Sequence, residues 1–162
     1  MPQTVRADLN TSDGSSTTRA LNQALLKRKV PPMEKWLGKY SNLLYALLRI
    51  VAGVLFACHG AQKLFGWLGG TKQTETLMQA AGAIEFVGGI LIAAGLFTGI
   101  VAFVACGEMA VAYFKQHYPA GFWPIQNRGE LAVLFCFLFL YVASRGSGIL
   151  SIDALRGKSR RR

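Results

Sequence analysis

Four apolar runs, separated by short polar or glycine-containing segments, follow one another through most of this 162-residue chain. The runs comprise residues 43–65, 80–97, 98–116 and 129–144. At about 1.5 Å per residue, the first run reaches the roughly 30 Å of a membrane's hydrocarbon core, whereas the last reaches only about 24 Å. A buried helix of a soluble protein would account for one such run but not for four. The pattern predicts an all-α polytopic membrane protein, an up-down four-transmembrane-helix bundle.

The membrane domain predicted by these runs, residues 43–155, is flanked by two polar, basic segments. Residues 1–42 are rich in Ser, Thr, Asn, Asp and Gln and contain no apolar run of the kind found in signal peptides, so we predict a disordered arm. Within this arm, residues 20–29 have a short amphipathic pattern that ends in three basic residues, which suits an anionic membrane surface. Residues 156–162 form the second segment, a basic tail.

The net charge of +10 becomes informative once it is sorted by segment. Residues 1–42 hold seven basic and three acidic residues, residues 144–162 hold six and one, and residues 43–143 hold five and four. The nearly neutral middle excludes a basic nucleic-acid-binding core, and 52% hydrophobic with 16% charged residues is unlike a soluble domain. The positive-inside rule places both termini in the cytoplasm, where the basic segments are expected to contact anionic lipid rather than nucleic acid.

Ionisable residues inside the runs are the candidate functional groups, because each costs at least about 2.5 kcal/mol at membrane depth and needs a partner or a function. With the N-terminus inside, five of them fall within about 12 Å of the outer face. They are His59, Lys63, Glu85, Glu108 and Glu130. A bundle brings those that face inward within reach of each other.

The spacing of small residues indicates where two of these glutamates point. Gly82, Glu85 and Gly89 share one helix face, and Glu108 shares another with two alanines. Small residues allow helices to approach closely, so both glutamates are predicted to lie between helices. Two interpretations remain open. The polar groups either join the helices with nothing bound, or line an outward-opening pocket in which His59 and a glutamate exchange protons with a small amphipathic ligand or hydrogen-bond to it.

Arg49 lies near the inner end of the first run, with no acidic residue at its depth. Asp153, just after the last run, is the nearest candidate partner. We therefore predict a structural latch in which an Arg49–Asp153 pair folds the tail under the bundle.

Other chemistry is weakly represented in this sequence. The three cysteines, Cys58, Cys106 and Cys136, each lie within an apolar run and form no CxxC motif, so we expect inert, buried thiols. His59 and His117 lack the spacing of a metal or haem pair, and no glycine-rich phosphate loop follows a strand. The sequence predicts no metal site and no cofactor bound by this chain.

Four segments carry a resemblance to a known family. They are FACHGAQKLFGWLGG (56–70), AGAIEFVGGILIAAGLFT (81–98), MAVAYFKQHYPAGFWPIQNRGE (109–130) and GSGILSIDAL (146–155). On these segments the chain resembles the DoxX family of bacterial four-helix membrane proteins. The resemblance covers nearly all of residues 43–155, and the HG-x-QKLFGW-x-GG block is its most specific element.

The resemblance implies an inner-membrane protein associated with quinone-linked oxidoreductases or redox-stress complexes. Gln62 and His117 match the family's polar positions, as do the five ionisable residues above, but no catalytic role is assigned to any of them. We expect a membrane subunit or partner of a quinone-linked redox system, with quinone or quinol as ligand. Lys63 and His59 would donate hydrogen bonds to its oxygens, Glu85 or Glu108 would relay protons, and redox cofactors would belong to a protein partner.

Two other functions are compatible with the same residues. Intramembrane carboxylates also serve proton-coupled carriers of small solutes, although no inverted repeat is present. A non-catalytic scaffold that binds soluble partners through its basic tails is the second. Whether the chain forms a homo-oligomer stays open at this point.

Overall fold

The regular structure of the protein is helical throughout residues 32–159, the part that the computed structural model describes. The helices are α1 (Pro32–Gly38), α2 (Ser41–Phe65), α3 (Thr76–Ala94), α4 (Thr98–Ala112), a π-helical turn (Tyr113–His117), a 3-10 turn (Tyr118–Ala120), α5 (Pro124–Asn127), α6 (Glu130–Arg145) and α7 (Ile152–Ser159). No strand occurs in these residues, which confirms the all-α prediction.

Three helical segments are long and apolar enough to cross a membrane: α2, α3, and α4 together with the turns that continue it to Ala120. These segments confirm the prediction of a polytopic membrane protein. The fourth long helix, α6, has 16 residues and is therefore about 24 Å long, as expected for the shortest run. It packs along α4 and completes the helical core.

Helices α2 and α3 run antiparallel with their backbones in direct contact, because glycines face each other across the interface. A Cβ atom added to Gly60 would lie 2.6 Å from the carbonyl oxygen of Gly82. One added to Gly53 would lie 2.6 Å from the carbonyl oxygen of Gly89. The small-residue face predicted on the second run is thus the face that α3 presents to α2.

Aromatic side chains connect α2 to α6 at the centre of the bundle. The rings of Phe56 and Phe139, both fully buried, have centroids 4.7 Å apart, and Phe135 lies 5.7 Å from Phe56. On α4, the core positions Ala102 and Ala105 are fully buried. Their small side chains leave room for the phenylalanines, so the bundle interior is filled mainly from α2 and α6.

The turn predicted at residues 95–99 joins α3 to α4. Gly95 ends α3 with a left-handed φ of 73°, which glycine adopts without strain. The predicted loop 66–79 is shorter in the structure, because α3 already begins at Thr76. The loop predicted at residues 117–128 consists largely of short helical turns.

The predicted disordered arm differs from the structure at its C-terminal end. Residues 32–42 form α1 and the first residues of α2. Pro32 occupies the first position of α1, where the missing N–H of proline costs no hydrogen bond. The rest of the arm, including the amphipathic segment 20–29, lies outside the described residues. At the other end, α7 crosses the predicted start of the basic tail.

Candidate functional site

The polar end of the bundle is the end at which α2 and α4 finish and α3 and α6 begin. Because successive helices run in opposite directions, polar residues far apart in sequence lie at this end. They include all six residues predicted as ligand-binding or proton-relay candidates, namely His59, Gln62, Lys63, Glu85, Glu108 and Glu130.

An ion pair links α2 to α3 at the polar end. Lys63 Nζ lies 2.6 Å from Glu85 Oε1. The Glu85 side chain is 2% exposed and that of Lys63 is 26% exposed. Gly82 makes room for the lysine stem, since a Cβ there would lie 2.9 Å from the Lys63 Cβ. The glycine face of α3 therefore brings the backbones together and also seats the cation over its carboxylate.

Two carboxyl oxygens at this end are buried without a hydrogen-bond partner in the described part of the chain. They are Oε2 of Glu85 and Oε2 of Glu108. A buried polar atom without a partner is costly, and in native structures it is often associated with a functional role or an unplaced water. The unpartnered oxygens are thus positioned to bind a proton or a polar ligand atom.

A groove of about 340 Å³ lies between α3 and α4, with Glu108 on its wall. Its apolar lining comes from Leu77, Ala81 and Ile84 on α3 and from Val104, Gly107 and Val111 on α4. Its polar lining is Lys63, Glu108, Lys115 and Gln116. Pockets for small organic ligands typically have volumes of roughly 300–1,000 Å³, apolar walls and a few polar groups. The groove therefore suits an amphipathic molecule whose polar atoms meet Lys63 and Glu108.

Of the six predicted residues, Lys63 and Glu108 line this groove, whereas Glu85 and the other three do not. His59 is exposed and places its ring edge-on to Phe135 of α6, with ring centroids 6.2 Å apart. Gln62 donates a hydrogen bond of 3.3 Å to the carbonyl oxygen of Leu68 in the following loop. Glu130 is exposed at the start of α6.

His117 belongs to a network that holds the loop between α4 and α6. Its Nδ1 lies 3.1 Å from the carbonyl oxygen of Asn127, and Asn127 Nδ2 donates to the Gly121 carbonyl oxygen at 2.7 Å. The Tyr113 hydroxyl donates to the carbonyl oxygen of Phe122. Sequence reasoning missed Tyr113 and Asn127, although the Asn-Arg-Gly sequence at 127–129 is typical of the turn that Asn127 forms.

Lys115 and Gln116 of the groove were also missed. Both lie in the π-helical turn that continues α4. Single π-helical turns occur frequently at functional sites, because they displace side chains from their α-helical positions. The apolar pattern of the run at 98–116 does not distinguish π from α geometry, so the sequence contained no signal for this displacement.

Arg49 lies at the opposite end of the bundle and is fully buried. Its guanidinium donates to three carbonyl oxygens: Ile92 at 2.6 Å, Ala93 at 3.0 Å and Leu150 at 2.7 Å. Asp153 joins the same region through its backbone, with its N–H 3.1 Å from the Gly95 carbonyl oxygen. The segment after α6 thus contacts Arg49 through the Leu150 carbonyl oxygen and not through the Asp153 side chain. Arg49 needs no carboxylate here, because the carbonyls at the C-terminal end of α3 are already favourable partners for a cation.

Replacing Lys63 by methionine is expected to lower the free energy of unfolding by about 2 kcal/mol, because the buried Glu85 carboxyl loses its donor. Thermal unfolding in detergent micelles measures the change. Lys72→Met, in the exposed loop before α3, is the matched control and should have little effect. Adding Glu85→Gln to Lys63→Met should recover part of the loss. A Lys63 variant as stable as the Lys72 variant would contradict the assignment of the ion pair.

The fold and the polar end together define an all-helical polytopic membrane protein with an intramembrane ion pair and a neighbouring amphipathic groove. Comparison with known proteins gives the particular family. The DoxX family matches residues 44–118, which include the ion pair and the whole groove lining. The chain belongs to the DoxX family.

Two relatives extend the comparison. An uncharacterised protein of Haemophilus influenzae is 41% identical over 125 residues, which are 72% of this chain and 93% of the relative. A Bacillus subtilis protein named "Putative oxidoreductase CatD" is 27% identical over 113 residues, which are 66% of this chain and 82% of the relative. No solved structure matches the chain.

Proposed function

We propose that this protein is a membrane subunit or partner of a quinone-linked redox system, and that the groove between α3 and α4 binds the quinone or quinol. The groove itself carries the proposal, because an apolar cleft of about 340 Å³ that contains Lys63 and Glu108 matches a ligand with an apolar ring and two polar oxygens. Membership of the DoxX family and the name of the Bacillus subtilis relative support a redox role.

The two polar side chains have different roles in this proposal. An ammonium group has three N–H donors, so Lys63 is able to hold Glu85 and also donate to a quinone oxygen. Glu108 contributes a buried oxygen without a partner in the described residues, which receives or releases the proton that accompanies quinone chemistry. The proposal assigns redox cofactors and electron transfer to a protein partner.

We further propose that the protein lies in the cell inner membrane with both termini in the cytoplasm and the polar end of the bundle facing outward. The support is the charge distribution, since the basic residues are concentrated in the terminal segments. Protease added to inside-out membrane vesicles should remove both termini, whereas the same protease added to intact spheroplasts should leave them. Cleavage of either terminus in spheroplasts would contradict the proposed orientation.

Photo-crosslinking with a quinone analogue tests the groove directly. Membranes that contain the full-length protein are irradiated with a photoreactive short-chain quinone, and the labelled peptides are identified by mass spectrometry. Labels are expected in residues 77–84 of α3 and 104–111 of α4, which form the two walls. An excess of unreactive quinone should compete with the label.

A matched pair of glycine variants separates binding in the groove from partition into the membrane. A Cβ on Gly107 meets nothing within 4 Å, so Gly107→Leu extends into the groove without disturbing the backbone. Labelling should fall about tenfold, equivalent to about 1.4 kcal/mol of binding free energy. Gly157→Leu on α7, also at an open position, should label like the unmodified protein. Equal labelling of both variants would show that the groove is not the binding site.

A further inference from the structure

Two of the three cysteines, which the sequence shows as isolated residues, meet between helices. Cys106 of α4 and Cys136 of α6 have their Sγ atoms 3.6 Å apart. The sulfur atoms of a disulfide are about 2.05 Å apart, so the two thiols are in contact and need only a small further approach to bond. Cys58 lies on α2 and lines a recess between α2 and α3.

The backbones of α4 and α6 approach each other where a small residue lies at their contact. A Cβ added to Gly99 would lie 3.6 Å from the carbonyl oxygen of Ala143. Cys106 lies seven residues after Gly99, and Cys136 lies seven residues before Ala143. Because the two helices are antiparallel, this equal spacing brings Cys106 opposite Cys136. The helices are therefore in register at the thiols, as a disulfide between neighbouring helices requires.

The seam between α4 and α6 is accessible from outside the bundle. A recess of about 440 Å³ lies along it, lined by residues that include Ile100, Phe103 and Leu140. Phe103 is one helical turn from Cys106. Both thiols are half-buried rather than enclosed. Since α4 belongs to a candidate membrane span and α6 packs along it, the molecules that reach the seam are those that dissolve in the hydrocarbon phase.

We propose that Cys106 and Cys136 form a redox-active thiol pair that is oxidised to an intramolecular disulfide by a membrane-soluble quinone. Both S–H bonds break and one S–S bond forms, while two electrons and two protons pass to the quinone and convert it to a quinol. The disulfide then fixes α4 to α6. The thiol pair faces the seam with α6, whereas the proposed quinone groove lies between α4 and α3, so the two proposals are independent.

Counting free thiols tests this proposal in native membranes that contain the full-length protein. The oxidant is a short-chain quinone with every ring position substituted, because an open ring position would add a thiol instead of accepting electrons. The reduced chain has three thiols, and after oxidation one should remain available to a maleimide in denaturant. Peptide mapping should show Cys106 joined to Cys136 and Cys58 free. Three remaining thiols, or a link that joins two chains, would overturn the proposal.

Single serine variants are the controls for the pairing. Cys136→Ser should keep both of its thiols through oxidation, whereas Cys58→Ser should lose both. The Gly107→Leu variant distinguishes this proposal from the proposed function, because it fills the groove and leaves the seam unchanged. It should be oxidised as fast as the unmodified chain even if it no longer binds quinone in the groove. Slower oxidation would place the reacting quinone in the groove and overturn the route through the seam.

Discussion

Replacing Gly60 by alanine is expected to prevent normal packing of α2 against α3 and to abolish most of the folded protein. The added Cβ would collide with the backbone nitrogen of Phe86 and lie 2.7 Å from the Phe86 Cα and 2.6 Å from the Gly82 carbonyl oxygen. All three atoms belong to the backbone of α3, so no side-chain rotation relieves the contact. Overpacking that is absorbed by side chains costs about 1–3 kcal/mol, and we expect about 3 kcal/mol or more here.

The matched control for this substitution is Gly107→Ala on α4. The chemical change is the same, but the new Cβ meets nothing within 4 Å. Alanine is also favoured over glycine inside a helix by about 0.5–1 kcal/mol, so the control should keep or slightly raise the unfolding temperature in detergent. An unchanged unfolding temperature of Gly60→Ala would mean that α2 and α3 do not approach through Gly60.

The course of the long helices was predictable because hydropathy and turn residues determine it. The first run, 43–65, became α2 at Ser41–Phe65, and the turn at residues 95–99 joins α3 to α4. The glycine face of the second run was also visible in the sequence. The sequence did not show which neighbouring helix this face contacts. Helices lie on either side of α3, and nothing in the sequence indicates which of them packs against the glycines.

Depth in the bundle was easier to predict than direction. His59 and Lys63 are four residues apart, so the helical repeat predicts that they share one face, about 40° apart in direction. In the structure Lys63 contacts Glu85 of α3, whereas His59 is next to Phe135 of α6. Because α2 has a neighbour on each side, this small difference in angle is enough to send the two side chains to different helices.

The contact between Cys106 and Cys136 was not predictable from the sequence either. Each cysteine is isolated in its own apolar run, and nothing in either run fixes the register of one helix against the other. The register depends on contacts elsewhere, such as that of Gly99 with Ala143. Pairing across a helix interface becomes visible only when the whole interface is known.

Replacing Arg49 by methionine is expected to destabilise the protein by about 3 kcal/mol or more. Methionine approximates the length of the side chain but donates no hydrogen bond, so the Ile92, Ala93 and Leu150 carbonyls all lose the buried guanidinium donor. The Ile92 carbonyl keeps the hydrogen bond from the Gly95 N–H. Hydrogen bonds from charged groups contribute about 1.5–3 kcal/mol each, and the contributions within one cluster are not additive. The segment 146–151 should also become more readily cleaved by protease near Leu150, because Leu150 loses its contact with α2, while Gly146 keeps the hydrogen bond from Tyr45.

Two further variants decide whether Arg49 acts through backbone carbonyls or through the charge of Asp153. Asp153→Asn keeps the backbone N–H that reaches the Gly95 carbonyl oxygen, and the half-buried Asp153 side chain lies near the surface, so the change should cost less than about 1 kcal/mol. Arg145→Met removes a cation from the exposed end of α6 and should be similarly mild. If Asp153→Asn were as destabilising as Arg49→Met, the carboxylate would be the main partner. If Asp153→Asn is mild and Arg49→Met is severe, the Arg49 guanidinium caps α3 and holds segment 146–151 through backbone carbonyls, without the Asp153 carboxylate.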